Sequence, residues 1–154
     1  MHIVLVEPEI HQNTGSIART CAVTGQPLHL VEPLGFSLED RYLKRAGLDY
    51  WPLVDLSVHA DLDSVLEMAP RARRHLFASE ATDLYTEVAF TPDDWLFFGR
   101  ESVGLPEDFI ASHPERVWRI PMRPVKGARS LNLSNAVNIV LYEALRQEGF
   151  PGLA

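Results

Sequence analysis

The chain has 154 residues, 46% of them apolar, and a formal net charge of −7. That length and composition suit one domain with a packed core and weigh against a disordered chain. The acidic balance argues against indiscriminate nucleic-acid binding, because phosphate affinity comes from Lys and Arg. The charge is unevenly spread, however. Arg116, Arg119, Arg123, Lys126 and Arg129 occupy one stretch without an acid; Arg41, Lys44 and Arg45 form a second basic group, and Arg71, Arg73 and Arg74 a third. Either a locally basic face or dispersed surface charge follows from this pattern. Cys21 is the only cysteine, so no intrachain disulfide can form, and its amphipathic setting reads as core rather than nucleophile. The N-terminal apolar run is too short for a signal peptide and no segment approaches the ~20 apolar residues of a membrane span, so a cytoplasmic location is expected.

In chain order, Ile3 to Val6 reads as a buried strand, followed by a polar loop and a helix from about Thr14 to Thr24, ended by Gly25. Leu28 to Val31 is the next strand, closed by "EPLGF". "SLEDRYLKRAG" has helical spacing, with Ser37 as N-cap and Gly47 as terminal glycine, and "ADLDSVLEMA" is another helix. "RRHLFAS" and "WLFFG" are strands, "LPEDFIAS" a short helix and "RVWRIP" a strand. Leu133, Ala136, Val137, Val140, Leu141, Ala144 and Leu145 trace one apolar helix face, stopped by Gly149 and Pro151. Alternating strands and helices predict an α/β domain with a mainly parallel sheet between helices. Ligands of such sheets sit beyond the carboxyl ends of the strands. That places the loops after Val6, Phe98 and Ile120 under scrutiny.

Three stretches there could carry chemistry. "NTGSIART" holds Asn13, Gly15 and Arg19; the plain alternative is that Asn13 caps a helix and Arg19 is solvated. "GRESVGLP" sets Glu101 between Gly99 and Gly104; the alternative is a strand-to-helix turn with Gly99 left-handed and Pro106 at the helix start. "SLNLSN" crowds Ser130, Asn132, Ser134 and Asn135 around the start of an apolar helix, more small polar groups than capping needs. Unpaired backbone N–H groups at such a helix start could bind a carboxylate or a purine edge. No dinucleotide fingerprint, triphosphate loop or Gly-x-Ser-x-Gly elbow occurs. The six histidines lack ligand spacing with Cys or one another, so each reads as a surface or supporting residue and no metal is expected.

Together these stretches resemble the three motifs of the SPOUT superfamily of S-adenosylmethionine-dependent RNA methyltransferases. "EPLGF" and "KRAGLDYW" are similar to the subfamily that 2′-O-methylates the wobble nucleotide of tRNA, a cytidine or modified uridine, and this likeness covers nearly the whole chain. "RPVKGA" (residues 123–128) departs from it by being longer and more basic. The resemblance implies a single methyltransferase domain over residues 1–154, with a deep C-terminal trefoil knot over about residues 75–150. It implies S-adenosylmethionine as cofactor, wrapped by Ser79, Gly99, Gly104, Ile120, Ser130 and Leu131, with glycine letting backbone approach the ligand. Arg19 would be the catalytic residue, held by Asn13 and Glu101, while Ser130 and Asn132 organise cofactor and ribose. The tRNA anticodon stem-loop would meet Arg41, Lys44, Arg45, Arg123, Lys126 and Arg129. A homodimer is implied, one subunit's first motif completing the other's site. Rival readings are methylation of another tRNA or rRNA ribose, a non-catalytic RNA-binding dimer, and a flavodoxin-like nucleotide-binding module.

Overall fold

The computed structural model describes residues 1–39, 50–127 and 130–154. Among these, seven strands form one sheet: β1 (His2–Val6), β2 (Leu28–Val31), β3 (Leu56–His59), β4 (Arg74–Phe77), β5 (Asp83–Leu84), β6 (Trp95–Phe98) and β7 (Val117–Arg119). Their order is β3-β2-β1-β6-β4-β7-β5, and every pairing is parallel. Four α-helices among the described residues accompany them: α1 (His11–Thr24), α2 (Leu62–Leu66), α3 (Glu107–Ala111) and α4 (Leu133–Gln147). The expected α/β architecture is present.

Parallel strands covered on both faces carry apolar residues at every position, and side chains alternate between the faces. Ile3 and Leu5 of β1, with Leu96 and Phe98 of β6, join the core beneath α1 and α4, where Ile17, Cys21, Val137 and Leu141 pack. Val4, Val6, Trp95 and Phe97 face the other way, onto Val65 of α2 and Phe109 of α3. Burial pushes the Cys21 thiol up to about 12, so it is core, as its setting implied.

Register aligns the carboxyl ends. Leu5 pairs with Phe98, Phe98 with Phe77, and Phe77 with Trp118. The loops after β1, β6, β4 and β7 therefore leave one edge of the sheet side by side. Their neighbours in the sheet are far apart in sequence, because β6 returns between β1 and β4.

Several boundaries differ from expectation. α1 starts at His11, so Asn13 lies inside its first turn rather than capping it. Gly25 closes it with φ +68°. α2 covers only Leu62–Leu66, where the Asp61 side chain accepts from Ser64 N at 2.8 Å and fixes the start. β3 and the two-residue β5 had no sequence signal: both are edge strands, and β3 mixes Leu, Ser, Val and His with none fully buried. The helix expected over residues 37–47 falls largely on residues outside those described.

Three of the histidines, His29, His75 and His113, are buried and so fall on the supporting side of the expectation. His2, His29 and His59 form a ladder across β1, β2 and β3, with contacts of 2.9 Å and 3.0 Å between ring nitrogens. His2 stacks on Trp95 with ring centroids 4.0 Å apart. His113 Nε2 faces Arg74, whose guanidinium also donates to the Ala69 and Leu66 carbonyls just beyond and at the end of α2.

Candidate active site

The aligned loops enclose a cleft of about 440 Å³. Ser79 and Glu80 after β4, the Arg100–Leu105 loop after β6, Ile120 and Met122 after β7, and Ser130–Leu133 leading into α4 all line it, with Asn13 of α1. Of the residues expected around a cofactor, Ser79, Gly104, Ile120, Ser130 and Leu131 are therefore brought together.

Gly99 is not a lining residue, and the reason for its glycine differs from the expected one. It is buried, and a Cβ there would lie 2.0 Å from Gly104 C and 2.1 Å from Leu105 N. The loop folds back on itself through an Arg100–Gly104 bridge, with paired bonds of 3.1 Å and 2.9 Å. Gly99 has no side chain because the loop's own backbone occupies that space. The left-handed residue is Gly104, at φ +79°. Pro106 stands at the N-cap of α3, with Glu107 and Asp108 in the positively polarised first turn.

The three polar stretches meet in one chain of hydrogen bonds. Glu101 Oε1 accepts from Asn13 Nδ2 at 2.9 Å, and Asn13 Oδ1 accepts from Asn132 Nδ2 at 2.9 Å. Asn132 is the N-cap of α4: its Oδ1 accepts from Ser134 N at 2.9 Å, Ser134 Oγ at 2.7 Å and Asn135 N at 3.4 Å. Capping thus accounts for Asn132 and Ser134 together, while Ser130 is left exposed on the cleft. Glu101 additionally accepts from Glu9 N at 2.8 Å and Ile10 N at 3.2 Å.

Arg19 stands apart. It is exposed on α1 and does not line the cleft of its own chain. Its Nη2 donates to Tyr50 Oη at 3.4 Å, and the guanidinium carbon lies 4.6 Å from that ring's centroid. Within one chain, Arg19 contacts Tyr50, while Asn13 and Glu101 bond elsewhere. Both amide atoms of Asn13 are spent on Glu101 and Asn132, and the Glu101 carboxylate accepts from Asn13 and the two backbone N–H groups.

Of the residues expected to meet RNA, Arg123 and Lys126 are exposed between β7 and α4. Arg41, Lys44, Arg45 and Arg129 lie outside the described residues. The third basic group is engaged internally: Arg71 with Glu115, Arg73 with Thr91 and Asp94, Arg74 with the end of α2. Arg119 donates to Thr82 O at 3.3 Å.

Sequence reasoning missed Glu9, Ser102, Trp118 and Tyr50. Ser102 N and Oγ each donate to the Glu9 carboxylate at 2.9 Å. The only available signal was an acid immediately before a helix start at a strand's carboxyl end. Trp118 lines the cleft, and its buried indole N–H has no partner among the described residues.

Residues 1–142 match the SpoU rRNA Methylase family. The tRNA (cytidine(34)-2'-O)-methyltransferase of Burkholderia ambifaria is 47% identical over 98% of this chain and 97% of its own length. The enzyme of the same name from Escherichia coli strain K12 is 45% identical over 99% and 96%. A solved structure described as "Structural insights into the 2-OH methylation of C/U34 on tRNA" superposes with a TM-score of 0.89 at 49% identity, covering 96% of this chain and 95% of that one. The chain belongs to the SpoU rRNA methylase family.

Proposed function

We propose that this protein transfers a methyl group from S-adenosylmethionine to the ribose 2′-hydroxyl of the tRNA wobble nucleotide, a cytidine or modified uridine. The hydrogen-bonded chain Glu101–Asn13–Asn132 carries the reading, because it ties the three polar stretches to one cleft. Relatives of the same length, named for that reaction, support the substrate.

The cleft fits the cofactor's chemistry. Ile120 and Leu131 offer apolar contact for an adenine, and Leu131 is 39% exposed in this structure. Ser79 and Ser130 offer polar contacts. When bound, S-adenosylmethionine supplies a methyl group already activated on a sulfonium.

The protein must then align the ribose and stabilise the oxygen that attacks. Arg19 is the catalytic residue in this reading. A guanidinium offers donors and no acceptor, so it does not act as a base. Arg19 instead stabilises the developing 2′-oxyanion and grips the adjacent phosphate, and the proton leaves to phosphate or water. Asn13 and Glu101 act through α1, and Ser130 and Asn132 shape the cofactor and ribose side of the cleft.

Because Arg19 lies outside its own cleft, the reading requires a homodimer in which α1 of one copy serves the cleft of the other. An outward face of α1 and α4, which pack together, supports this: Val23, Ile139 and Tyr142 are 49%, 37% and 46% exposed. Arg41, Lys44, Arg45, Arg123, Lys126 and Arg129 would contact the anticodon stem-loop, their charge giving affinity. The chain acts as one domain with a C-terminal knot over about residues 75–150. The passage of β6 between β1 and β4 and the return of α4 onto α1 are compatible with that knot. A cytoplasmic location follows from the substrate. Among the described residues no helix is long and apolar enough to cross a membrane.

The test is methyl transfer from isotopically labelled S-adenosylmethionine to tRNA lacking the modification, with nuclease mapping by mass spectrometry. A 2′-O-methyl group at the wobble nucleotide is expected. Methylation at another ribose overturns the site, and cofactor binding without methylation of an intact substrate overturns the activity.

A further inference from the structure

Helix α1 begins without a cap of its own. Ile10 occupies the N-cap position and has no side-chain acceptor. Glu101, 91 residues from Ile10, instead fixes the segment entering the helix: its carboxylate takes the Ile10 N–H, the Glu9 N–H and the Asn13 side-chain N–H. The bond is returned in the opposite direction. Glu9 accepts from Ser102 N and Ser102 Oγ, both at 2.9 Å, so two adjacent loops exchange carboxylates.

The Glu9 backbone is also backed from behind. Gly35 N donates to Pro8 O at 2.9 Å, and a Cβ on Gly35 would lie 2.6 Å from both Glu9 Cα and Glu9 O. Glu9 is thus wedged between the turn at Gly35 and the loop after β6. Two of the groups it engages, Glu101 and Ser102, line the cleft. Glu9 immediately precedes the N-cap residue of the helix that carries Arg19.

We infer that Glu9 is a positioning residue: through Ser102 it holds the rim of the cleft against the start of α1, coupling occupancy of the cleft to the placement of Arg19. This rests on the reading of the cleft as the methyl-donor site. Glu9 itself touches no reacting atom in this account. Its effect passes through Ser102 and Glu101.

The full chain with Glu9→Ala, Glu9→Gln, Ser102→Ala and the double substitution Glu9→Ala/Ser102→Ala would be titrated with S-adenosylhomocysteine and assayed for KM with donor and tRNA separately. Loss of hydrogen bonds to a charged acceptor predicts a donor affinity about tenfold weaker in Glu9→Ala, with donor KM rising in step and tRNA KM within about twofold. Glu9→Gln keeps a carbonyl acceptor for the Ser102 N–H and is expected within about threefold of the parent. Ser102→Ala removes one donor on an exposed loop, leaves folding intact and should weaken donor binding about threefold. The double substitution should be no worse than Glu9→Ala alone, the mark of two residues acting through one contact.

Additive losses in that cycle, or equal losses in Glu9→Ala and Glu9→Gln, would overturn the inference. Failure of the parent protein to bind S-adenosylhomocysteine would instead overturn the donor reading of the cleft. Amide exchange then decides the clasp by itself. Glu9→Ala should speed exchange at Ser102 and also at Ile10 and Asn13, whereas a change confined to Ser102 would refute the coupling.

Discussion

Asn132 donates its side-chain amide to the Asn13 carbonyl oxygen at 2.9 Å, joining residues 119 positions apart. Asn13 then donates to Glu101 at 2.9 Å, so its amide can point only one way. Asn13→Asp places a second carboxylate where the donor to Glu101 stood. At neutral pH the expected loss of stability is at least about 2 kcal/mol, since a charged hydrogen bond becomes a like-charge contact. Such a pair takes up a proton more readily folded than unfolded, raising the folded pKa. The substituted protein should therefore regain stability relative to the parent as pH falls from 7 towards 5. Urea unfolding at both values checks this; a difference independent of pH would refute the contact.

Gly99 and Gly104 make opposite predictions within one loop. Gly99→Ala forces a Cβ to within 2.0 Å of backbone carbon, and backbone cannot move aside as a side-chain tip would. The expected cost is roughly 3 kcal/mol, at the upper end of overpacking effects. At Gly104 a Cβ meets nothing within 4 Å, so only its φ of +79° opposes a side chain. Gly104→Ala should cost about 1–2 kcal/mol. Urea midpoints give the ranking, and equal costs would refute the steric account.

Much of the fold was legible where physics is local. "WLFF" and the Ile3–Val6 run of β1 are apolar at every position because both faces of their strands are covered, and the α4 stripe follows the helical period. Gly25 and Asn132 mark helix ends in sequence and in structure. β3 and β5 left no pattern because edge strands bury little. The grouping of the three polar stretches was legible, yet their bonding was not. Which partner Asn13 takes depends on β6 lying beside β1, a fact of topology and not of local pattern. Gly99 shows the same limit: its neighbour at 2.0 Å is the chain itself.

The histidine ladder predicts a dependence on acid. Burial lowers the His29 pKa to about 4, and the His2 and His59 rings on either side add to this, while Asp55 opposes it. His2 is also lowered, by burial and by the Met1 ammonium, against Asp55 and Asp93. The unfolded chain binds a proton at the ordinary histidine value, so it binds more protons than the folded chain between pH 6.5 and 4. His29 therefore stabilises fully above pH 6.5, and its contribution falls through that window by up to about 1.4 kcal/mol per pH unit. His29→Gln should flatten the profile by about one proton's worth in urea unfolding at pH 7, 5.5 and 4.5. An unchanged slope would remove the ladder from the account.

Arg19 separates binding from turnover. It lines no part of its own cleft and rests on Tyr50, so its loss should leave S-adenosylhomocysteine affinity within about twofold of the parent. Loss of a positive group aimed at a developing oxyanion costs on the order of 10²–10³ in turnover, which is the fall expected for Arg19→Ala. Arg19→Lys keeps the charge and loses the planar fork that grips a phosphate through two bonds, and it should remain severely impaired. Mixing Arg19→Ala with a cleft-dead variant such as Asn132→Ala tests the placement further. If α1 of one copy serves the cleft of the other, mixed dimers carry one cleft with both residues intact, and partial activity should return. Parent-rate turnover by Arg19→Ala would refute the catalytic assignment, and a mixture as inactive as either variant would refute the shared site.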